Sequence, residues 1–172
     1  EFSIARPIAV RAVAPTGTIS IAGGMTTPGI EPVFHTAYER TYNTLKQKQY
    51  ETGLKKERVI DPIVAKWIEE GYDVRDIDTA YTLSQDTEGI ERRLALQAFV
   101  QGFTDNGISS TINLPAYKEE SELAIAPILL RYLPKLRGVT FYPDGRYENQ
   151  PVKPIDIQDV IENDRVVMRE HE

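Results

Sequence analysis

A chain of 172 residues and 19.4 kDa is the size of one domain, or of one large piece of a bigger one. With 20 Lys plus Arg against 26 Asp plus Glu, a net charge of −6 and a pI ≈ 5.1, it lacks the basic face of a nucleic-acid scaffold. No apolar run approaches the roughly 18 residues of a membrane helix, Glu1 to Arg11 lacks the apolar core of a signal peptide, and the absence of cysteine excludes a disulfide, a thiolate nucleophile and a cysteine-held metal, so a soluble, cytoplasmic protein is expected.

Ile8 to Val13, an apolar run interrupted by Arg11, reads as a short buried strand. Ala14 to Pro32 is rich in small residues, among them Pro15, Thr16, Gly17, Thr18, Gly23, Gly24, Pro28 and Gly29. It is too apolar for a linker and too rich in glycine for one regular element, a composition that suits backbone approaching a ligand. Tyr38 to Arg58 interleaves lysines and arginines with Tyr38, Tyr42 and Tyr50, and reads as an exposed helix or excursion. Asp61 as N-cap, Pro62 in the first turn and Gly71 as the stop then predict a helix, with Val64, Trp67 and Ile68 on its buried face.

A second helix is predicted from about Glu88 to Phe103, capped by Asp86 or Thr87, with Leu96, Phe99, Val100 and Phe103 turned to the core. Asp105-Asn106-Gly107 is a turn signal. Ile108 to Leu114 follows as a strand, with Ile108, Ser110, Ile112 and Leu114 on one side and Ser109, Thr111 and Asn113 on the other; Pro115 ends it. Glu119 to Leu133 is helical in character, acidic in its first turn and broken or kinked at Pro127. Leu136 to Tyr142 reads as another strand, closed by Pro143-Asp144-Gly145. Residues 148–172 read as a charged peripheral tail with one short helix around Ile157 to Glu162. The order of elements is that of an α/β protein.

The most informative stretch is Ala14-Pro15-Thr16-Gly17-Thr18-Ile19-Ser20. A strand running into such a turn, with a helical turn starting at Ile19, brings amides and hydroxyls to one point that suits a phosphate. A capped turn that binds nothing has the same composition, and the stretch is neither a Walker A loop nor a GxGxxG fingerprint. Glu31 fits either a buried carboxylate near a ligand or a helix-start acid. His35, beside Phe34, reads as a packing or surface residue rather than a catalyst, and Asn113 as a sheet-end amide. Tyr142 and Tyr147 suit core or interface positions. His35 and His171, the two histidines, lie 136 positions apart in no metal-binding motif, so no metal site is expected.

The Ala14–Ser20 stretch followed by Thr27-Pro28-Gly29-Ile30-Glu31-Pro32-Val33-Phe34 resembles the catalytic subunit of ribonucleotide reductases, closest to the adenosylcobalamin-dependent class. Two more stretches agree in order and rough spacing: Asp105 to Pro115, and Leu136-Arg137-Gly138-Val139-Thr140-Phe141-Tyr142-Pro143-Asp144-Gly145. The resemblance implies the C-terminal portion of a ten-stranded α/β barrel over residues 1–147, with 148–172 as the peripheral tail. It implies a substrate-phosphate loop in which Thr16, Gly17, Thr18 and Ile19 bind through amides and hydroxyls, framed by Pro15 and Ser20. Phe141-Tyr142 offers one tyrosine where the di-iron enzymes carry a tandem pair, which favours the cobalamin class.

The chain departs from that family where the radical chemistry is concerned. It has no cysteine, hence no thiyl radical site, no reducing pair and no Asn-Pro-Cys-x-Glu stretch, and so no catalytic residue of its own. The resemblance therefore implies either a component of a split reductase that converts ribonucleotides to deoxyribonucleotides for DNA replication, the leading expectation, or a truncated or remnant piece of such an enzyme. A larger partner chain would supply the cysteines and bind most of the adenosylcobalamin, and this chain would be inactive alone. The rival expectation is a non-catalytic, reductase-derived protein that binds a reductase chain as a regulator.

Overall fold

The computed structural model of the chain describes residues 8–23, 27–45, 52–115, 119–143 and 152–163. Tyr50, the Asp144-Gly145 turn, Tyr147 and His171 lie outside the described residues. The elements form two layers of packing, each with its own hydrophobic cluster.

The first is built on parallel strands. β3 (Thr111–Leu114) pairs in parallel with β4 (Thr140–Pro143), Thr111 opposite Thr140. Ahead of β3, Ile108 forms a parallel bridge with Val13, and Ser109 N donates to Val13 O at 2.9 Å. The segment 107–114 thus lies between the chain's opening segment and β4. The Ile8–Val13 strand expected from the sequence is reduced to this one bridge, with Ile8 and Val10 exposed. The opening is fastened instead by Asp105, whose Oδ2 accepts from the amides of Val10 and Arg11 at 3.1 and 3.2 Å. Hydrogen bonding from the Arg11 guanidinium is the main cause holding the Asp105 carboxyl below the usual range.

The crossover from β3 to β4 carries α5 (Glu119–Tyr132), as a parallel pair requires a long connection. Of the break or kink expected at Pro127, the break does not occur: α5 continues through that residue as one helix. A 3₁₀ turn, Leu133–Lys135, follows it, so β4 starts at Thr140 rather than Leu136. α4 (Thr87–Gln101) packs with α5 on the sheet, joining Ile90, Leu94, Ile112, Ile125 and Ile128 in one cluster.

The buried face of α4 is not the expected one. Ile90, Arg93, Leu94 and Gln97 face inward, whereas Leu96, Phe99 and Phe103 are 46%, 67% and 58% exposed. The inward stripe has the i, i+3, i+4, i+7 spacing of a helix face, but half its members are polar. Both donate to backbone carbonyls, Gln97 Nε2 to Gly138 O at 2.7 Å and Arg93 Nη2 to Thr111 O at 2.9 Å, while Gln97 Oε1 is buried without a partner among the described residues.

The second layer is an antiparallel sheet in the order β2-β1-β5: β1 (Ala37–Leu45), β2 (Thr52–Ile60) and β5 (Val152–Pro154). The polar stretch expected to form an exposed helix or excursion is therefore a hairpin. Its charges are cross-strand partners: the register sets Glu39 opposite Arg58 and Arg40 opposite Glu57, and Lys56 Nζ meets Glu39 Oε1 at 2.8 Å. α2 (Pro62–Glu69) and α6 (Ile157–Asn163) cover the sheet, burying Ala37, Val64, Val74, Ile157 and Val160 together. Within 148–172, then, the described residues extend a sheet and close a core rather than standing apart. Asp61 caps α2 by accepting from Ile63 N at 3.0 Å, and Gly71 ends the turn with φ +84°; Trp67, expected inside, is 38% exposed.

A one-turn helix that the sequence did not announce, α3 (Ala80–Leu83), starts at a Thr79/Thr82 capping box, and its Ala80 and Tyr81 amides donate to Val33 O and Phe34 O at 2.8 and 3.0 Å. The architecture is mixed α/β; the strands among the described residues close no barrel.

Candidate functional site

Ala14–Ser20 follows Val13, the residue bridged in parallel to Ile108 just ahead of β3, and so leaves the end where open parallel sheets place their ligands. Thr16 adopts φ 51°, a left-handed conformation rare for a β-branched residue. The reversal starts α1 (Gly17–Ala22), whose first bond runs from Ser20 N to Thr16 O at 2.8 Å. The amides of Gly17, Thr18 and Ile19 stand before that bond, as at any helix start. Gly17, Thr18 and Ile19 are exposed, and a Cβ on Gly17 would meet nothing within 4 Å. Ser20 is 4% exposed and its Oγ donates to Gly17 O at 2.8 Å, so this hydroxyl braces the turn from inside. Pro15 is exposed at the loop's entry.

The loop is tied to a second turn. Gly29 N donates to Thr16 Oγ1 at 3.3 Å. Gly29 has φ +58°, and a Cβ there would lie 3.2 Å from Ser109 O and 3.4 Å from Ala14 O. Glycine is favoured both by the angle and by the closeness of two backbone segments.

Two residues later Glu31 turns into the protein. Its Oε1 accepts from Thr111 N at 2.6 Å and its Oε2 from Arg93 Nη2 at 2.6 Å. Arg93 is 5% exposed and Glu31 18%. Glu31 is therefore a partly buried, paired carboxylate, not a helix-start acid. Its partner Arg93 escaped sequence reasoning because a charged residue on a helix is ordinarily assigned to the solvent side.

His35 lies apart from the loop as a packing residue. Its Nδ1 donates to Ala37 O at 2.9 Å, and its ring stands edge-on to Tyr81 with centroids 5.2 Å apart. It lines a cleft of about 460 Å³ with Arg75, Thr79, Tyr81 and Asp156. Burial lowers its pKa below 6.5, opposed by the bond to Ala37 and by Asp156. A histidine whose folded-state pKa is depressed gives stability that is present above the unfolded value and lost as pH falls through the folded one. Urea unfolding should therefore show stability falling once pH drops below about 6.5, with a shallower fall in His35→Gln; equal slopes would assign the pH dependence elsewhere.

Asn113 sits half-buried in β3, opposite Tyr142 in the β3–β4 register. Among the described residues no group of three His, Asp or Glu side chains could hold a metal ion.

A family model described as "Ribonucleotide reductase, barrel domain" matches residues 6–142. Two curated relatives are the vitamin B12-dependent ribonucleoside-diphosphate reductases of Mycobacterium tuberculosis strains CDC 1551 / Oshkosh and ATCC 25618 / H37Rv. Each is 29% identical over 152 residues, a stretch that covers 82% of this chain and 22% and 21% of the relatives. The chain thus spans about a fifth of the length of the curated relatives it matches. No solved structure gives a significant match.

Proposed function

Because the chain belongs to the ribonucleotide reductase barrel-domain family, we propose that it supplies the substrate-phosphate loop of a reductase whose radical chemistry resides on a larger partner chain. The observation that carries this reading is the left-handed turn at Thr16, which presents a set of exposed helix-start amides at a strand end. Phosphate oxygens would accept from the amides of Gly17, Thr18 and Ile19 and from the Thr18 hydroxyl, with Pro15, Thr16 and Ser20 fixing the loop's shape. Amides held in place before the anion arrives need no reorganisation to receive it.

The chain's other features set the division of labour. With no cysteine in 172 residues it holds no thiyl radical and no reducing pair. Among the described residues the one histidine, His35, packs edge-on against Tyr81 in a half-buried position and belongs to no cluster of metal-ligating side chains, so nothing there points to a cobalamin. Adenosylcobalamin would be bound mainly by the partner. The partner would also complete the ten-stranded barrel, covering the Leu96–Phe99–Phe103 stripe of α4. A stripe of that kind is the usual mark of an interaction surface.

The test is a reconstituted enzyme: this chain, a reductase chain bearing the cysteines, adenosylcobalamin and a ribonucleotide. Activity is expected from the pair and from neither chain alone. Thr16→Ala/Thr18→Ala should raise the nucleotide KM by about 10- to 100-fold, the worth of one or two hydrogen bonds to a charged group. An unchanged KM, or ribonucleotide reduction by the isolated chain, would sink the reading. Suppression of a partner already active by itself would select the non-catalytic, regulatory alternative.

A further inference from the structure

We propose that Glu31 is a positioning residue for the Thr16–Ser20 loop, acting through Gly29 and locked by Arg93; the role rests on the reading of that loop as the phosphate site. The chain of contacts is short. Arg93 Nη2 holds both Glu31 Oε2 at 2.6 Å and Thr111 O at 2.9 Å, while Glu31 Oε1 takes Thr111 N at 2.6 Å. One carboxylate thereby grips both the first residue of β3 and the buried face of α4.

Two residues before Glu31, Gly29 N donates to Thr16 Oγ1, and Glu31 N closes the same turn on Pro28 O at 3.0 Å. The left-handed Thr16, a conformation that persists only where its surroundings hold it, is therefore supported from a turn that Glu31 anchors. Arg93 is 5% exposed and its Nη2 is committed to Glu31 and Thr111, so it is a lock and not a ligand for the incoming anion. A buried pair of this kind is weak grounds for stability by itself; its better-attested use is to fix one arrangement among several. The arrangement fixed here is that of the loop on the strand end.

The test uses amide NMR on the full chain, with pyrophosphate as the probe. Glu31→Gln keeps the shape and removes the charge that holds Arg93. The resonances of Thr16 to Ile19 and of Gly29 should shift, the Gly29 and Thr111 amides should exchange faster, and pyrophosphate affinity should fall about tenfold, as expected for losing a charge-assisted bond. Arg92→Ala is the control: it removes an exposed pair with Asp78 from the same helix and should leave the loop amides in place.

A folded Glu31→Gln with unmoved loop resonances and wild-type affinity overturns the proposal. Should Glu31→Gln fail to fold, Glu31→Asp, with the charge one methylene short, answers the same question. If the wild-type chain takes no pyrophosphate, the phosphate reading fails on its own account. Movement of the loop amides then still separates a coupled loop from an uncoupled one.

Discussion

Gly89→Ala is expected to destabilise the chain although it adds a single methyl group. A Cβ at Gly89 would lie 2.2 Å from Leu83 O, 2.7 Å from Leu83 Cα and 2.8 Å from Leu83 C. All three are backbone atoms, so no side-chain rotation relieves the clash. Leu83 is itself fixed, its amide donating to Thr79 O at 3.0 Å in a turn where Thr79 and Ser84 are buried. Gly89 N meanwhile donates to Asp86 Oδ1 at 2.6 Å, the cap of α4.

Room can come only by moving α3 or by giving up that cap. The first strains the core by about 1–3 kcal/mol or more, and the second costs about 1 kcal/mol. A loss of about 1–3 kcal/mol, measured by urea unfolding, is expected against the 5–15 kcal/mol typical of a domain. The same change at Gly138, where a Cβ meets nothing within 4 Å, should be close to neutral. A Gly89→Ala variant as stable as the parent would mean that α3 and α4 do not meet as described.

Much of this was legible in residue types. Caps announced themselves: Asp61 and Asp86 each accept the backbone amide their position predicts. The 108–114 alternation sets Ile108, Ser110 and Ile112 on one side, and those three are buried. The hairpin was not legible, because charges paired across β1 and β2 look, along the chain, like a solvated helix face. Nor was the Glu31–Arg93 lock, whose partners are 62 positions apart and whose arginine sits in a buried stripe. Long-range pairing of polar groups leaves no period to read. The second layer was missed for the same reason: the charged stretch after 148 conceals Ile157 and Val160, which need Ala37 and Val64 from far upstream to become a core.

Leu94→Ala and the pair Phe99→Ser/Phe103→Ser should separate the two faces of α4, which residue hydrophobicity alone assigns the wrong way round. Leu94 is fully buried against Ile90, Ile112, Ile125 and Ile128, so its truncation should cost about 2–5 kcal/mol through lost transfer and a residual cavity. Phe99 and Phe103 touch each other edge to face at 5.3 Å but face solvent, so removing both should change the unfolding free energy of the isolated chain by no more than about 1 kcal/mol. With the larger chain present the order should reverse. Buried aromatic anchors commonly carry 2 kcal/mol or more of an interface, so the double serine variant should weaken assembly by roughly 30-fold or more, read by titration of the partner. Large destabilisation of the isolated chain by the serine pair would place these rings in its own core and remove the surface assigned to the partner. Unaltered assembly with unaltered stability would keep the fold as described and move the docking surface off α4.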